Sequence, residues 1–159
     1  MPKPIPDGWH TATPHITVKG ADKAIDFYKK AFGAQEIVRM PGPGGQGIMH
    51  AEIKIGDSMI MLNDELPGMG EKSPETLGGR TASIFLYVED ADAVHAKAVA
   101  AGGTSRMPVT DMFWGDRMGR IADPFGHEWA ISTHTQDLSV EEIKKRGQEF
   151  MAKMSATGG

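Results

Sequence analysis

Three side chains have the types that bind metal ions or move protons. His15 lies in one apolar segment, and His50 and Glu52 stand two apart in another. Residues two apart on a strand share a face, so His50-x-Glu52 sets an imidazole beside a carboxylate. His15 would join them if its strand lies close. Two histidines and a carboxylate are a ligand set for a divalent transition metal. Without a metal, His50 or Glu52 is an acid/base candidate. The plainer alternative is a solvated or internally hydrogen-bonded strand face. A second cluster, Trp114-Gly-Asp116-Arg117, offers a flat apolar ring and a planar guanidinium that Asp116 would hold in place. It suits an anionic or aromatic ligand, unless it is only a hairpin element around a core Trp. His127, in a Phe-Gly-His turn, reads as exposed, and His95 reads as a surface or groove residue. His10 and His134 flank the domain, where they could meet each other or a second subunit. Pro41-Gly-Pro-Gly-Gly lacks the Lys-Ser/Thr and following helix of a phosphate loop.

The elements that must position these groups come in two copies. Val18-Lys-Gly-Ala21-Asp22 opens an apolar-periodic stretch that closes on Ala31-Phe32-Gly33, and Val88-Glu-Asp-Ala91-Asp92 opens another that closes on Ala101-Gly102-Gly103. In the first copy Ala12 to Val18 predicts a strand and Asp22 to Phe32 a helix stopped by Gly33. Glu36 to Met40 reads as extended, and Ile48 to Ile55 alternates, with Met49, Ala51, Ile53 and Ile55 on one face. Gly56-Asp57 marks a hairpin to a strand over Met59 to Leu62. The second copy repeats the order: strand Ser83 to Val88, helix Asp90 to Ala101, then extended runs at 104–110, 117–122 and 128–133. Between the copies, Asn63 to Arg80 is polar and glycine-rich, a linker or flap. After them, Ser139-Val-Glu-Glu142 is a capping box, with Leu138 and Ile143 placed to form its staple. It opens a helix to about Met154 that Gly147 weakens and that needs a surface to dock on.

Ala24-Ile-Asp-Phe-Tyr-Lys-Lys-Ala-Phe-Gly-Ala34 resembles the first-helix signature of the vicinal oxygen chelate superfamily, which includes glyoxalase I, bleomycin resistance proteins and extradiol dioxygenases. Asp123-Pro-Phe-Gly-His-Glu-Trp129 resembles its second-half hairpin. Trp114-Gly-Asp-Arg-Met-Gly-Arg120 and Met49-His-Ala-Glu-Ile-Lys-Ile-Gly-Asp57 are similar to its PhnB-like branch. The resemblance covers residues 12–134. It implies an α+β fold of two βαβββ modules, 12–63 and 82–134, forming a curled mixed sheet around a shared cavity. Residues 64–81 would be the linker, and a C-terminal helix at 138–154 would complete one glyoxalase-like domain. Metal-dependent members draw one ligand from the first and fourth strand of each module. Carried over, those positions fall on Thr13, Met61, Ser83 and Ala130, none a good ligand for a divalent ion.

Two functions compete. The first is small-molecule binding with no cofactor, in a cavity lined by Thr13, His15, His50, Glu52, Met61, Ser83, Phe85, Trp114 and Arg117. The second is a lyase or dioxygenase with an atypical divalent metal held by His15, His50 and Glu52. A methyltransferase lacks support, because no βαβ unit carries the glycine loop for its nucleotide cofactor. A net charge of −4 argues against nucleic acid or an anionic membrane as partner. No apolar run reaches the roughly 18 residues of a membrane helix, and the start has no signal-peptide core. With no cysteine, the expected setting is the cytoplasm. The resemblance, the proline-stiffened N-terminal arm and the terminal helix imply a homodimer.

Overall fold

A computed structural model describes residues 1–157. The first module runs β1 (His15–Val18), α1 (Ala21–Phe32), β2 (Gln35–Pro41), β3 (Ile48–Ile55) and β4 (Ser58–Asp64). A one-turn helix, α2 (Pro74–Leu77), interrupts the connection to the second module. That module runs β5 (Ser83–Tyr87), α3 (Ala91–Ala100), β6 (Thr104–Asp111), β7 (Asp116–Ala122) and β8 (Glu128–His134), and α4 (Val140–Thr157) follows. The strands form two four-stranded sheets, ordered β1-β4-β3-β2 and β5-β8-β7-β6. The two orders are the same, so the duplication seen in the residues is a duplication of topology. Among the described residues the sheets stay separate, and no closed barrel forms.

Helices α1 and α3 each lie on one face of their own sheet. Ala24, Ile25, Phe27, Tyr28 and Ala31 are buried on α1, and Ile16, Val18, Ala51, Ile53, Ile60 and Leu62 supply the sheet side of that core. His50, Glu52 and Lys54 point the other way, as their alternation with Ala51, Ile53 and Ile55 requires. Asp64 and Thr133 do the same work in the two halves. Asp64 Oδ1 accepts from the Gly20 and Ala21 amides at 2.8 Å, and Thr133 Oγ1 accepts from the Ala91 amide at 2.9 Å. Each satisfies donors that the first turn of a helix leaves open.

The halves are joined through a shared core. Trp129 of β8 is fully buried against α1, its ring 4.7 Å from Phe32 and 5.1 Å from Tyr28. Asp123, also buried, accepts from Tyr28 Oη at 2.7 Å, from Trp129 Nε1 at 2.9 Å and from the Phe125 and His127 amides at 2.9 Å. Burial and the neighbouring Asp123 charge push the Tyr28 phenol well above its usual range. The Asp-Pro-Phe-Gly turn is thus a structural joint between modules.

Several expectations change. β1 starts at His15, because Pro14 has no N–H to donate to a ladder. The linker is ordered by Glu65, which accepts from the Ser73 amide at 2.9 Å and the Ser73 hydroxyl at 2.8 Å. Those bonds hold the Glu65 carboxyl down at about 2. At α4, Ser139 Oγ accepts from the Glu142 amide at 3.1 Å, but the Glu142 carboxylate turns to Arg146 at 2.8 Å instead of closing the capping box. Gly147 makes room for Phe113, whose ring lies 3.2 Å from where a Cβ would stand. Phe150 then packs on that same ring, 5.5 Å between centroids.

Candidate functional site

On the first sheet, register places His15 beside Met61 and Met61 beside Glu52, so β1, β4 and β3 each give one side chain to a row. His50 stands one pair further along β3, opposite Met40. His50 Nε2 and Glu52 Oε1 are 3.2 Å apart and half-buried. The His15 and His50 rings meet edge to face at 6.5 Å. The three predicted residues do share a face, but His50 is already committed to Glu52. Among the described residues, no three His, Cys, Asp or Glu side chains are grouped so as to hold a metal ion.

On the second sheet, Phe85 and Tyr87 stand on the open face of β5, beside Ala130 and Ser132 of β8. They are 45% and 65% exposed, with rings 5.1 Å apart. Behind them lies Asp116, only 2% exposed. It accepts from Tyr87 Oη at 3.0 Å and Trp114 Nε1 at 2.9 Å, and it faces His134 Nδ1 at 2.9 Å. Burial alone would raise the Asp116 carboxyl, but the His134, Trp114 and Tyr87 hydrogen bonds outweigh it and hold it below the usual range. The bond to Asp116 pushes the Tyr87 phenol up. His134 Nε2 meets Asp137 at 3.0 Å, and with Asp116 this raises the His134 ring above 6.5. His134 is thus tied to carboxylates of its own half.

Arg117 is not held by Asp116. Adjacent strand residues point to opposite faces. Arg117 instead forks onto Asp92 of α3 at 2.6 and 2.8 Å and reaches Asp111 at 3.1 Å, which raises its pKa further. It anchors α3 to the hairpin of β6 and β7. Trp114 stays with Asp116, at the end of the second sheet away from Ser83. His127 is not an exposed turn residue either: it is half-buried, and its Nε2 lies 2.9 Å from the Thr17 carbonyl of the other module. His95 pairs with Ser105 Oγ at 3.2 Å.

The outer edges of the two sheets, β1 and β5, border common recesses. One, of about 210 Å³, has His15 on one wall and Ser83 on the other. The linker roofs it with Pro74 and Arg80, and His127 and Glu128 close its end. Glu128 pairs with Arg80 and, at 3.0 Å, with Arg120. Burial would raise that carboxyl, and the two arginines together hold it below the usual range. A smaller recess of about 110 Å³ is bordered by Thr13, Met59 and Phe85. His15 and Ser83 thus share one recess and Thr13 and Phe85 another, while His50, Glu52 and Met61 lie on the open sheet face next to His15. Sequence reasoning overlooked Tyr87 as part of this surface, although its spacing of two from Phe85 on a strand was the available signal.

The sequence profile of the Glyoxalase/Bleomycin resistance protein/Dioxygenase superfamily matches residues 10–131. The chain belongs to this superfamily. An uncharacterized protein of Mycobacterium bovis is 44% identical over 135 residues, covering 83% of this chain and 88% of that protein. The solved structure of a gene product from Arabidopsis thaliana superposes with a TM-score of 0.64 at 26% identity, covering 78% of this chain and 98% of the other. The PhnB protein of Bacillus cereus shares the fold, with a TM-score of 0.60 at 18% identity over 78% of this chain and 99% of its own. The superfamily's two-module α+β architecture is the one described above, with α4 added.

Proposed function

We propose that the chain binds a small molecule in the recess shared by its two modules, without the divalent ion usual among metal-dependent superfamily members. The observation that carries this reading is the chemistry at the four ligand positions. Met61 pairs with His15 across β1 and β4, and Ala130 pairs with Phe85 across β5 and β8. Thr13 and Ser83 match by the seventy-residue offset, although Ser83 opens β5 while Thr13 stands two residues before β1. A hydroxyl, a thioether, a second hydroxyl and a methyl group stand where metal-dependent members have imidazoles and carboxylates, and none is a good ligand for a divalent ion.

The competing reading is a lyase or dioxygenase whose metal sits on His15, His50 and Glu52, and the 6.5 Å approach of the two imidazole rings is what favours it. One preparation separates the two. Purified protein is incubated with Zn²⁺, Ni²⁺, Mn²⁺ or Fe²⁺, desalted and assayed for metal, while co-purified small molecules are identified by mass spectrometry. The metal-free reading expects less than about a tenth of an ion per chain and thermal stabilisation by small ligands. Stoichiometric metal that His50→Ala abolishes supports the alternative. A chain that takes up no metal and is stabilised by none of a broad panel of apolar, aromatic and charged compounds overturns the binding reading.

Pairing of two copies belongs to the same proposal. Phe150 and Met151 on α4 are 47% and 61% exposed, and an amphipathic helix gains most of its stability from packing. Light scattering at working concentration is expected to give twice the chain mass, and a clean monomer contradicts it. No helix among the described residues is long and apolar enough to cross a membrane. We place the protein in the cytoplasm, on the absence of cysteine.

A further inference from the structure

The duplication places one hairpin of each module beside the other module's edge strand, with crevices next to each hairpin. They differ because the hairpins that border them differ. β7 and β8 are joined by residues 123–127, whose Gly126 lies so close to Pro74 that a Cβ there would stand 2.7 Å from the ring. Turn and linker together crowd that end. β3 and β4 are joined only by Gly56 and Asp57; His10, Ala12, Thr13 and Pro14 border one side of that hairpin, and no residue of the 65–82 connection lines the crevice on its other side. A crevice of about 1000 Å³ therefore stays open between this short hairpin, β5 and the start of α3.

Its walls carry an unusual combination. Phe85 and Tyr87 both border it, and both stay exposed although large aromatic rings gain most from burial. Tyr87 is not free to fold away, because the nearly buried Asp116 holds its hydroxyl at 3.0 Å. A phenol that donates to a carboxylate has an electron-rich ring, which strengthens attraction to a cation above its face. The charges agree. Asp57, Glu89 and Asp90 line the crevice, against Lys97 and His134, and His134 lies between Asp116 and Asp137. Asp90 accepts from the Ala93 amide at 2.9 Å and Asp57 from the Ser58 hydroxyl at 3.2 Å, each through one oxygen, and Glu89 is exposed beside them.

We infer that this crevice binds an organic cation with an apolar or aromatic body, its charge over the Phe85–Tyr87 pair and its counter-charge from Glu89 and Asp57. The inference goes beyond the small-molecule-binding reading, because this crevice is larger than and separate from the His15–Ser83 recess, and it names the ligand class. It can fail alone: a protein that binds neutral or anionic compounds keeps the broader reading and loses this one.

The test is calorimetric titration of the full chain with benzyltrimethylammonium, benzyl alcohol and phenylacetate as cationic, neutral and anionic probes. The cation is expected to bind about ten-fold or more tightly than either of the others. Phe85→Ala and Glu89→Gln, both at exposed positions, are each expected to weaken it several-fold with an unchanged melting temperature. Tyr87→Phe keeps the ring but frees it from Asp116, and it is expected to weaken the cation more than benzyl alcohol. Equal binding of the neutral or anionic probe, no binding of the cation, or a cation affinity indifferent to Phe85→Ala overturns the inference.

Discussion

Tyr28 on the first module donates its hydroxyl hydrogen to Asp123 on the second at 2.7 Å, and both residues are buried. The bond crosses the duplication. It is also one of the bonds that satisfy a carboxylate in the shared core. Tyr28→Phe removes the hydroxyl and keeps the ring, so Asp123 stays buried with one donor fewer. The expected loss is about 1–3 kcal/mol in denaturant unfolding, the cost of an incompletely satisfied buried charge. Because the bond joins the halves, the transition is also expected to broaden. A change under about 0.5 kcal/mol would show that the joint rests on Trp129 and the surrounding rings alone.

His134 makes stability depend on pH in a stated direction. Its two nitrogens lie 2.9 and 3.0 Å from carboxylate oxygens of Asp116 and Asp137, and only the imidazolium donates from both. The folded ring titrates above 6.5, chiefly through Asp137 and then Asp116. A raised folded value stabilises fully below the unfolded one, and the contribution is lost as pH rises through the folded value. The melting-temperature gap between the natural chain and His134→Gln is thus expected to be widest below about pH 6 and to shrink on the alkaline side. A gap that grows with pH contradicts the assignment.

Glu65 behaves with the opposite sign. Its carboxyl is held at about 2, first by the Ser73 amide and then by the Thr76 and Ser73 hydroxyls. A depressed folded value stabilises above the unfolded one, near 4.5, and the contribution disappears as pH falls toward 2. Glu65→Gln is expected to speed amide exchange in residues 66–80 at neutral pH, and its melting-temperature deficit is expected to close in acid. The roof over the His15–Ser83 recess would loosen with it. Unchanged exchange in that segment would mean that Pro74 packing alone holds the roof.

Gly147 sets two effects against each other. Alanine in a helix interior is better than glycine by about 1 kcal/mol. Here a Cβ would stand 3.2 Å from the Phe113 ring, closer than ordinary contact. Gly147→Ala is therefore expected to gain close to the full propensity term in a Phe113→Ala background and distinctly less in the natural one. A double-mutant cycle by thermal unfolding measures the difference. Additive effects would show that Phe113 moves aside freely.

Much of the fold was legible because it depends on local period and on repetition. The offset from Val18 to Val88 and from Ala21 to Ala91 locates both edge strands and both helix starts, and Gly33 stops α1 in a left-handed conformation, φ 66°. The candidate site was less legible because it depends on which face each side chain takes. Asp116 and Arg117 are neighbours in the chain and read naturally as a pair, yet strand alternation separates them. The same alternation sets Phe85 beside Tyr87, while Trp114 reaches Asp116 through the turn at Gly115, φ 96°. What no local pattern supplies is distance across the duplication: the reach of His127 to Thr17, the meeting of Tyr28 with Asp123, and the hairpin difference that leaves one crevice open.

The notch that Gly147 opens for Phe113 has a consequence for how this chain can change length. Successive residues of an α-helix are rotated by about 100°. One residue inserted between Val140 and Gly147 would swing the notch away from the ring and present a side chain in its place. Half of the positions in the first two turns of α4 are exposed and tolerate substitution on ordinary grounds, yet these turns should not tolerate insertion or deletion. The glycine acts as a length gauge, and natural relatives that keep this helix should keep the spacing even where they change every other residue in it.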